Sequence, residues 1–259
     1  MPAIIFWRER VMTMTERIFF TAGNSPSTEY AVKELKNRGM TFAQRPTKAV
    51  THLLLPAPCR EDVGDTLKKL SLDVKVLGGG LNRPELWGYR CMDLLEDEIY
   101  LAANARITAH CALRIAAERI PATWDYCPVL VIGWGRIGKC LAALLSANGA
   151  DVTVAARKEK DRAMIRALGM DSEDPQNLSF LLKRYRVLFN TVPCPVLTEQ
   201  QVLHCRTDCM KIDLASVKGI PGDDVIEARG LPGKYAPETA GKLIARTALR
   251  LCAQQEVEK

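Results

Sequence analysis

Three glycines at fixed spacing are the residues of this chain with the clearest chemical potential. They lie in Gly133-Trp-Gly-Arg-Ile-Gly138, between an apolar run at residues 129–132 and an amphipathic stretch at residues 140–147. Glycine permits a tight turn, a close backbone approach to a phosphate and close packing of helix on sheet. Amides at the start of a helix can hold the phosphate. The pattern therefore predicts a strand, turn and helix that bind a dinucleotide through Gly133, Gly135, Arg136, Ile137 and Gly138.

The residues after the next predicted strand bear on the choice of cofactor. In an NAD site an acidic residue about 20 positions after the glycines bonds the ribose 2′-hydroxyl. Ala155 and Ala156 occupy those positions, and Arg157 and Lys158 follow. A guanidinium can bind a 2′-phosphate through two hydrogen bonds, whereas a carboxylate would repel it. The sequence favours NADP(H) over NAD(H), with Arg157 and Lys158 as contacts; the alternative is a solvated loop in which Arg157 only stacks on the adenine.

Two later segments should also reach the carboxyl edge of the sheet, where doubly wound folds bind ligands. We expect the segment after the fourth strand of the second domain to contact the cofactor through Asn190, Thr191, Val192 and Pro193. Asp213, after the fifth strand, should either contact the cofactor or accept hydrogen bonds from neighbouring backbone amides.

Three residues are candidates for catalysis or substrate binding. Ser216 and Thr239 carry hydroxyls in predicted loops, and His110 follows a predicted break between the domains. A histidine facing the cleft could act as acid or base, although a single helical histidine is more often structural. No paired acid and base, and no spacing typical of a metal site, is evident in the sequence.

Composition argues against several classes of function. The chain has 259 residues, a formal net charge of +6, and 47% hydrophobic and 25% charged residues, as in ordinary globular proteins. Its basic residues are interleaved with acids, so nucleic acid is not an expected partner. No apolar run approaches the roughly 20 residues that span a bilayer. Nine cysteines without metal-binding spacing, and no secretion signal, predict a cytoplasmic protein with free thiols.

Alternating apolar runs and amphipathic stretches indicate an α/β protein of two domains. Residues 1–16 are predicted to form a possible flexible arm, within which Met12 or Met14 could be the start. Residues 17–120 should form a small N-terminal parallel α/β domain with linker helices. Residues 121–259 should form a C-terminal Rossmann-type dinucleotide-binding domain that ends in a helix.

The linker and the last helix carry two local predictions. Residues 93–101 and 108–119 are predicted as two helices separated by a break at residues 104–107. The last predicted helix, from residue 237 to about residue 254, has an apolar face that should pack on a sheet. Its place in the chain puts this helix in the second predicted domain.

Several segments of this chain, taken together, resemble the family of dipicolinate synthase A subunits. The resemblance runs from about residue 18 to residue 254 and is strongest in the second predicted domain. The matching segments are residues 54–58, Asn104 with Thr108 and Ala109, residues 133–138, 149–152, 156–157, 190–193, 213–216 and 230–241. The glycine turn is common to many dinucleotide-binding proteins, whereas the later segments, in this order, are much more specific.

The resemblance implies a Rossmann-type, NAD(P)-dependent oxidoreductase that works with a flavoprotein-like B subunit during sporulation. Such an enzyme oxidises a dihydropyridine-dicarboxylate precursor from the lysine pathway to dipicolinic acid, so the small-molecule substrate is a diacid. Aromatisation drives the reaction, which makes positioning more important than a strong acid–base pair. The chain could also form a homodimer.

Departures from the family pattern keep two other functions open. His110 stands where the family usually has a glutamate, and the segment after Ser216, at residues 217–222, is shorter than in the family. The turn at residues 23–26 lacks an Asp-x-Arg element. One alternative is another NADP-dependent oxidoreductase that acts on a small diacid or imino acid. The other is a non-catalytic nucleotide-binding module.

Overall fold

The computed structural model describes residues 17–257, and the arm predicted at residues 1–16 lies outside them. The first of two parallel sheets lies in the N-terminal part of the chain. Its strands are β1 (Ile18–Thr21), β2 (Thr41–Phe42), β3 (His52–Leu54), β4 (Lys75–Gly78) and β5 (Arg90–Asp93), in the order β2-β1-β3-β4-β5. Helix α1 (Pro26–Asn37) follows β1, and the short helix α2 (Gly64–Leu67) precedes β4. Short 3-10 helices lie at Pro84–Leu86 and Leu94–Glu96.

The second sheet has six parallel strands in the order of a Rossmann fold. They are β6 (Pro128–Ile132), β7 (Asp151–Ala155), β8 (Asp171–Glu173), β9 (Val187–Asn190), β10 (Met210–Asp213) and β11 (Val225–Glu227), in the order β11-β10-β9-β6-β7-β8. The helices of this half and the linker are α3 (Glu98–Ala117), α4 (Arg136–Ala147), α5 (Glu159–Ala167), α6 (Glu199–Val202), α7 (Leu231–Tyr235) and α8 (Pro237–Val257). Further 3-10 helices lie at Pro175–Phe180 and Leu182–Arg184. The predicted two-domain α/β class is confirmed.

The linker forms one helix, so the break predicted at residues 104–107 is wrong. Helix α3 is continuous over 20 residues and contains neither proline nor glycine. The Asp97 carboxylate caps it by accepting a hydrogen bond from the Tyr100 amide at 2.7 Å. Across the region of the predicted break, the Thr108 hydroxyl donates to the carbonyl of Asn104 at 2.9 Å, as threonine does within an intact helix.

Helix α3 contributes to the cores of both halves. Tyr100, near its start, packs in a cluster with Phe19 and Leu77 of the first sheet. Further along, Ala112 and Ile115 are buried in a cluster with residues of the second sheet. Small side chains at this point let α4 approach α3 closely.

Helix α8 packs on the first half of the molecule. Ile244, Ala248 and Cys252 are buried in the same cluster as Phe19 of β1 and Leu35 of α1. Gly241 makes this packing close, because a Cβ atom there would lie 2.5 Å from the backbone oxygen of Ser27. The face predicted to pack on a sheet therefore covers the first sheet, although the helix follows the second sheet in the chain.

Candidate functional site

The glycine turn lies at a cleft beyond the carboxyl ends of β6 and β9. β6 is the first strand of its sheet, and β7 and β9 flank it on opposite sides, so the strand order reverses between β6 and β9. Open α/β sheets bind ligands at such a reversal. The cleft has a volume of about 510 Å³. It is lined by residues 132–135, 155–158 and 191–196, with Asp161 and Pro175.

Each glycine of the turn meets a different steric demand. Gly133 has a φ angle of +107°, and a Cβ atom there would lie 2.5 Å from the Thr191 hydroxyl oxygen. A Cβ atom on Gly138 would collide with the carbonyl oxygen of Gly133. Gly135 is exposed, and nothing lies within 4 Å of the point where its Cβ atom would stand. The turn is thus tightly packed on its inner side and open at Gly135.

Helix α4 begins directly after this turn. Gly135 is its N-cap and provides no side-chain bond, and the Lys139 amide donates to the Gly135 carbonyl at 2.9 Å. The amides of Arg136, Ile137 and Gly138 precede that bond, so they are placed to bind an anion.

The side chain of Arg136 makes a different contact from its amide. Its guanidinium donates to the two carboxylate oxygens of Glu98 at 2.9 and 3.2 Å. This ion pair joins the start of α4 to the start of α3, so the side chain of Arg136 serves the contact between helices while its backbone amide lies in the first turn of α4.

One end of the cleft carries two cations and one carboxylate. Arg157 and Lys158 are exposed and line the cleft beyond the buried Ala155 and Ala156. Among the side chains of residues 17–254, neither cation has an ion-pair partner. Asp161 lines the same end, in the first turn of α5. Sequence reasoning missed it because it stands a few positions beyond the place where the ribose-binding acid is expected.

A buried network fixes the loops after β9 and β10. The carboxylate of Asp213, which is 2% exposed, accepts hydrogen bonds from the Asn190 side-chain amide at 3.1 Å and from three backbone amides of the following loop at 2.7 to 3.1 Å. Asn190 is fully buried and exchanges two hydrogen bonds with the backbone of Val192. Asp213 therefore adopts the backbone-bonding alternative, and Asn190 holds the loop that lines the cleft without lining it.

That loop places Thr191, Val192 and Pro193 along the cleft. The Thr191 hydroxyl donates to the carbonyl of Ile132 at 2.9 Å, which closes the loop against β6. Trp134 lines the cleft as well, and the Lys139 ammonium lies 5.8 Å from the centre of its ring. Sequence reasoning passed over Trp134, although a large aromatic residue between two glycines of the turn is a visible signal.

The candidate catalytic residues do not line this cleft. His110 and Thr239 line a separate groove between α3 and α8, which shares no lining residue with the cleft. His110 lies twelve positions along α3 from Glu98, or about 18 Å at the helical rise of 1.5 Å per residue. The expected cleft-facing position of His110 depended on a break before it, and α3 is continuous there. Ser216 is exposed in the loop after β10 and lines neither concavity.

Two features are absent from the part of the chain that the structure describes. Among the side chains of residues 17–254, no group of three or more histidine, cysteine, aspartate or glutamate residues is arranged to hold a metal ion. None of its helices is both long and apolar enough to cross a bilayer.

The reversed strand order and the glycine turn define the class: a two-domain α/β protein whose second sheet has the Rossmann fold. The fold is similar to that of D-lactate dehydrogenase from Escherichia coli, with a TM-score of 0.60 and 14% identity over 94% of this chain and 98% of that chain. No protein-family model matches the sequence.

More particularly, the chain is similar to the A subunit of dipicolinate synthase. It is 28% identical to the Bacillus subtilis (strain 168) protein over 178 residues, which are 66% of this chain and 60% of that protein. The crystal structure of the dipicolinate synthase A subunit from Bacillus halodurans has a TM-score of 0.80 and 22% identity, covering 92% of this chain and 98% of that chain. The predicted resemblance is thereby confirmed.

Proposed function

We propose that this chain binds NADP(H) in the cleft and acts as the A subunit of a dipicolinate synthase in a sporulating bacterium. The observation that carries the proposal is the open N-terminus of α4 at the strand reversal, in a chain similar to that protein over 178 residues. The proposed reaction is oxidation of a dihydropyridine-dicarboxylate to the aromatic diacid.

The described residues fit a dinucleotide. The open space at Gly135 leaves room for a pyrophosphate, and the first-turn amides of α4 would hold it. Thr191, Val192 and Pro193 would line the nicotinamide end, and Arg157 with Lys158 would hold a 2′-phosphate. A bound nicotinamide supplies hydride transfer, and the protein supplies orientation and electrostatics.

The chain's own residues position the reaction. The Asn190–Asp213 network fixes both loops at the carboxyl edge of the sheet, so the walls of the cleft are preorganised before a ligand enters. We propose Ser216, exposed on the loop that Asp213 anchors, for hydrogen bonding to a substrate carboxylate. No acid–base role is proposed for His110 or Thr239, because both line the other groove. The proposed partner, by the same resemblance, is a flavoprotein-like B subunit in the cytoplasm.

The test is reconstitution of the complete reaction. The chain is mixed with a B subunit from the same source, the lysine-pathway precursor and either NADP⁺ or NAD⁺, and dipicolinate is measured by chromatography. We expect product that depends on this chain and a Gly135→Val variant that folds but yields little product. Product at the same rate without the chain would contradict the proposal.

A second candidate function is oxidation or reduction of a different small diacid or imino acid with the same cofactor. The short segment at residues 217–222 favours it, since this segment borders the loop where substrate contact is proposed. Cofactor-dependent turnover of another diacid, with none of the dihydropyridine precursor, would select this function over the first.

A further inference from the structure

A single guanidinium holds the loop between β7 and α5. The Nη1 atom of Arg162 donates to the carbonyl oxygen of Ala156 at 2.7 Å and to that of Arg157 at 3.0 Å. The same atom lies 2.7 Å from a carboxylate oxygen of Asp174, which follows β8. The Nε and Nη2 atoms donate to one carboxylate oxygen of Glu159 at 3.0 and 2.6 Å. One side chain thus ties the loop to the start of α5 and to the end of the neighbouring strand.

These hydrogen bonds reach both peptide groups that flank Arg157. The carbonyl of Ala156 belongs to the peptide before Arg157, and the carbonyl of Arg157 belongs to the peptide after it. The orientations of two successive peptide planes set the φ and ψ angles of the residue between them. They therefore also set the direction in which its Cα–Cβ bond leaves the backbone. Because Arg162 bonds to both planes, it fixes this direction for Arg157.

The side chain of Arg157 is exposed at one end of the cleft. None of the side chains of residues 17–254 forms an ion pair with it. A long side chain loses conformational freedom when it binds a ligand, and a backbone that must also be ordered adds to that cost. A backbone held in advance leaves only the side-chain rotations of Arg157 to be ordered.

Arg162 does not supply positive charge to the cleft itself. Its side chain is 15% exposed and is not part of the cleft lining. Its guanidinium lies between the carboxylates of Glu159 and Asp174, at 2.6 and 2.7 Å, which balance its charge. Arg162 can therefore affect a ligand in the cleft only through the loop that it holds.

We propose that Arg162 is a positioning residue for recognition of the 2′-phosphate of NADP(H), because it fixes the direction of Arg157. This inference rests on the proposed function, which assigns Arg157 to the 2′-phosphate. Two parallel hydrogen bonds from a guanidinium to a phosphate require a defined approach, so a fixed direction strengthens NADPH binding. NADH carries a hydroxyl in place of this phosphate, and its binding does not depend on Arg162.

The test is a double-mutant cycle, measured by calorimetric titration of the full chain with NADPH and with NADH. Arg157→Gln should weaken NADPH binding about 10-fold, and Arg162→Gln about 5-fold. Since Arg162 acts through Arg157, the double variant should bind NADPH as weakly as Arg157→Gln alone. Independent losses would instead multiply to about 50-fold. NADH affinity should be the same in all four proteins.

Arg166→Gln is the matched control from the same group of ion pairs. Arg166 donates to the other carboxylate oxygen of Glu159 at 2.9 Å and to the Ser172 hydroxyl at 2.9 Å, and it contacts neither loop carbonyl. Its loss should leave NADPH affinity unchanged.

Arg162→Lys separates charge from positioning. The lysine keeps a positive charge between the two carboxylates, so the melting temperature should stay close to that of the wild type. A single ammonium cannot hold both peptides and both carboxylates, so NADPH affinity should be about as low as in Arg162→Gln.

Hydrogen exchange of the ligand-free chain tests the positioning without any cofactor. The Ala156 amide, at the start of the loop, donates to the Glu173 carbonyl at 3.0 Å. Because Arg162 holds Ala156 to Asp174, Arg162→Gln should speed exchange of this amide about 10-fold, and Arg166→Gln should not change it.

Three results would overturn the inference in a wild type that prefers NADPH: losses that add in the double variant, an equal loss in Arg166→Gln, or unchanged exchange of the Ala156 amide in Arg162→Gln. A wild type that binds NADPH no more tightly than NADH would overturn the 2′-phosphate assignment of the proposed function, and this inference with it. The two failures are distinct, because the second is seen without any change at Arg162.

Discussion

The cleft at the glycine turn and the α3–α8 groove are built by different means. The cleft depends mainly on backbone: a turn that only glycine can form, the exposed amides of α4, and loops fixed by the buried Asn190–Asp213 pair. The groove depends on side chains that project from two intact helices. A concavity formed by backbone groups is specified by one short stretch of sequence. A concavity formed by side chains of two helices requires two distant stretches of the chain to meet.

The largest expected effect concerns the glycine turn of the cleft. Gly133→Ala places a Cβ atom at a φ of +107° and 2.5 Å from the Thr191 hydroxyl, so we expect a loss of about 1–3 kcal/mol of stability. NADPH affinity should fall at least about 100-fold. Thermal melts measure the loss of stability, and calorimetric titration with NADPH measures the loss of affinity.

Gly135→Ala is the matched control, because the added Cβ atom meets no protein atom within 4 Å. Its melting temperature should equal that of the wild type, and only NADPH affinity should fall, by about 10-fold. If Gly133→Ala bound NADPH normally, the cleft would not depend on the backbone turn as described.

An intermediate effect tests the side-chain part of the cleft. Arg157→Gln should weaken NADPH binding about 10-fold through loss of a charged hydrogen bond to the 2′-phosphate, and NADH binding should not change. Arg184→Gln, an exposed arginine that does not line the cleft, serves as control. Equal NADPH affinity in Arg157→Gln and wild type would exclude the 2′-phosphate assignment and would favour a role for Asp161 at the ribose.

The smallest expected effect concerns the ion pair that fixes α3 to α8. The hydrogen bond from Arg250, and a weaker one from the Tyr100 amide, hold the pKa of Asp97 below its ordinary value of 3.8. Asp97→Asn should lower the free energy of unfolding by about 1–2 kcal/mol at pH 7 without changing NADPH affinity. Because the folded-state pKa of Asp97 is depressed, the contribution of the ion pair to the free energy of unfolding is complete above pH 3.8. This contribution is lost as the pH falls through the lower folded-state pKa.

Urea melts of wild type and Asp97→Asn between pH 2 and pH 7 measure the difference. Asp65→Asn, which removes the exposed pair with Lys68, should leave stability unchanged at every pH. A wild-type advantage that persisted below the folded pKa of Asp97 would show that the ion pair is not its source.

The regions that the sequence could predict are those determined by local chemistry. The glycine turn and the residues after β9 are specified within a few positions, because turn geometry and helix starts depend on neighbouring residues. Asp213 could not be resolved between its two alternatives, because its bonding depends on a loop that returns to it six and seven residues later. The position of Asp161 depended on how α5 begins, which the sequence pattern did not specify.

The groove could not be predicted, since its walls are more than 100 residues apart in sequence. Arg106 of α3 and Arg246 of α8 both line this groove, but in the sequence each is an ordinary exposed residue of its own helix. Their side chains line one groove because α3 is continuous and α8 packs beside it. The break predicted at residues 104–107 was inconsistent with a continuous α3. His110 was noticed for its residue type, but its surroundings follow only from the tertiary structure.

The packing of α8 has a consequence for how the protein is made. A ribosome that has synthesised residues 17–120 has completed every strand of the first sheet, but not the helix that shares a core with Phe19, Leu54 and Leu77. At typical rates of translation, on the order of 10 s pass before residues 244–252 follow. During that interval the nascent chain holds a complete first sheet whose apolar face is not yet covered by α8.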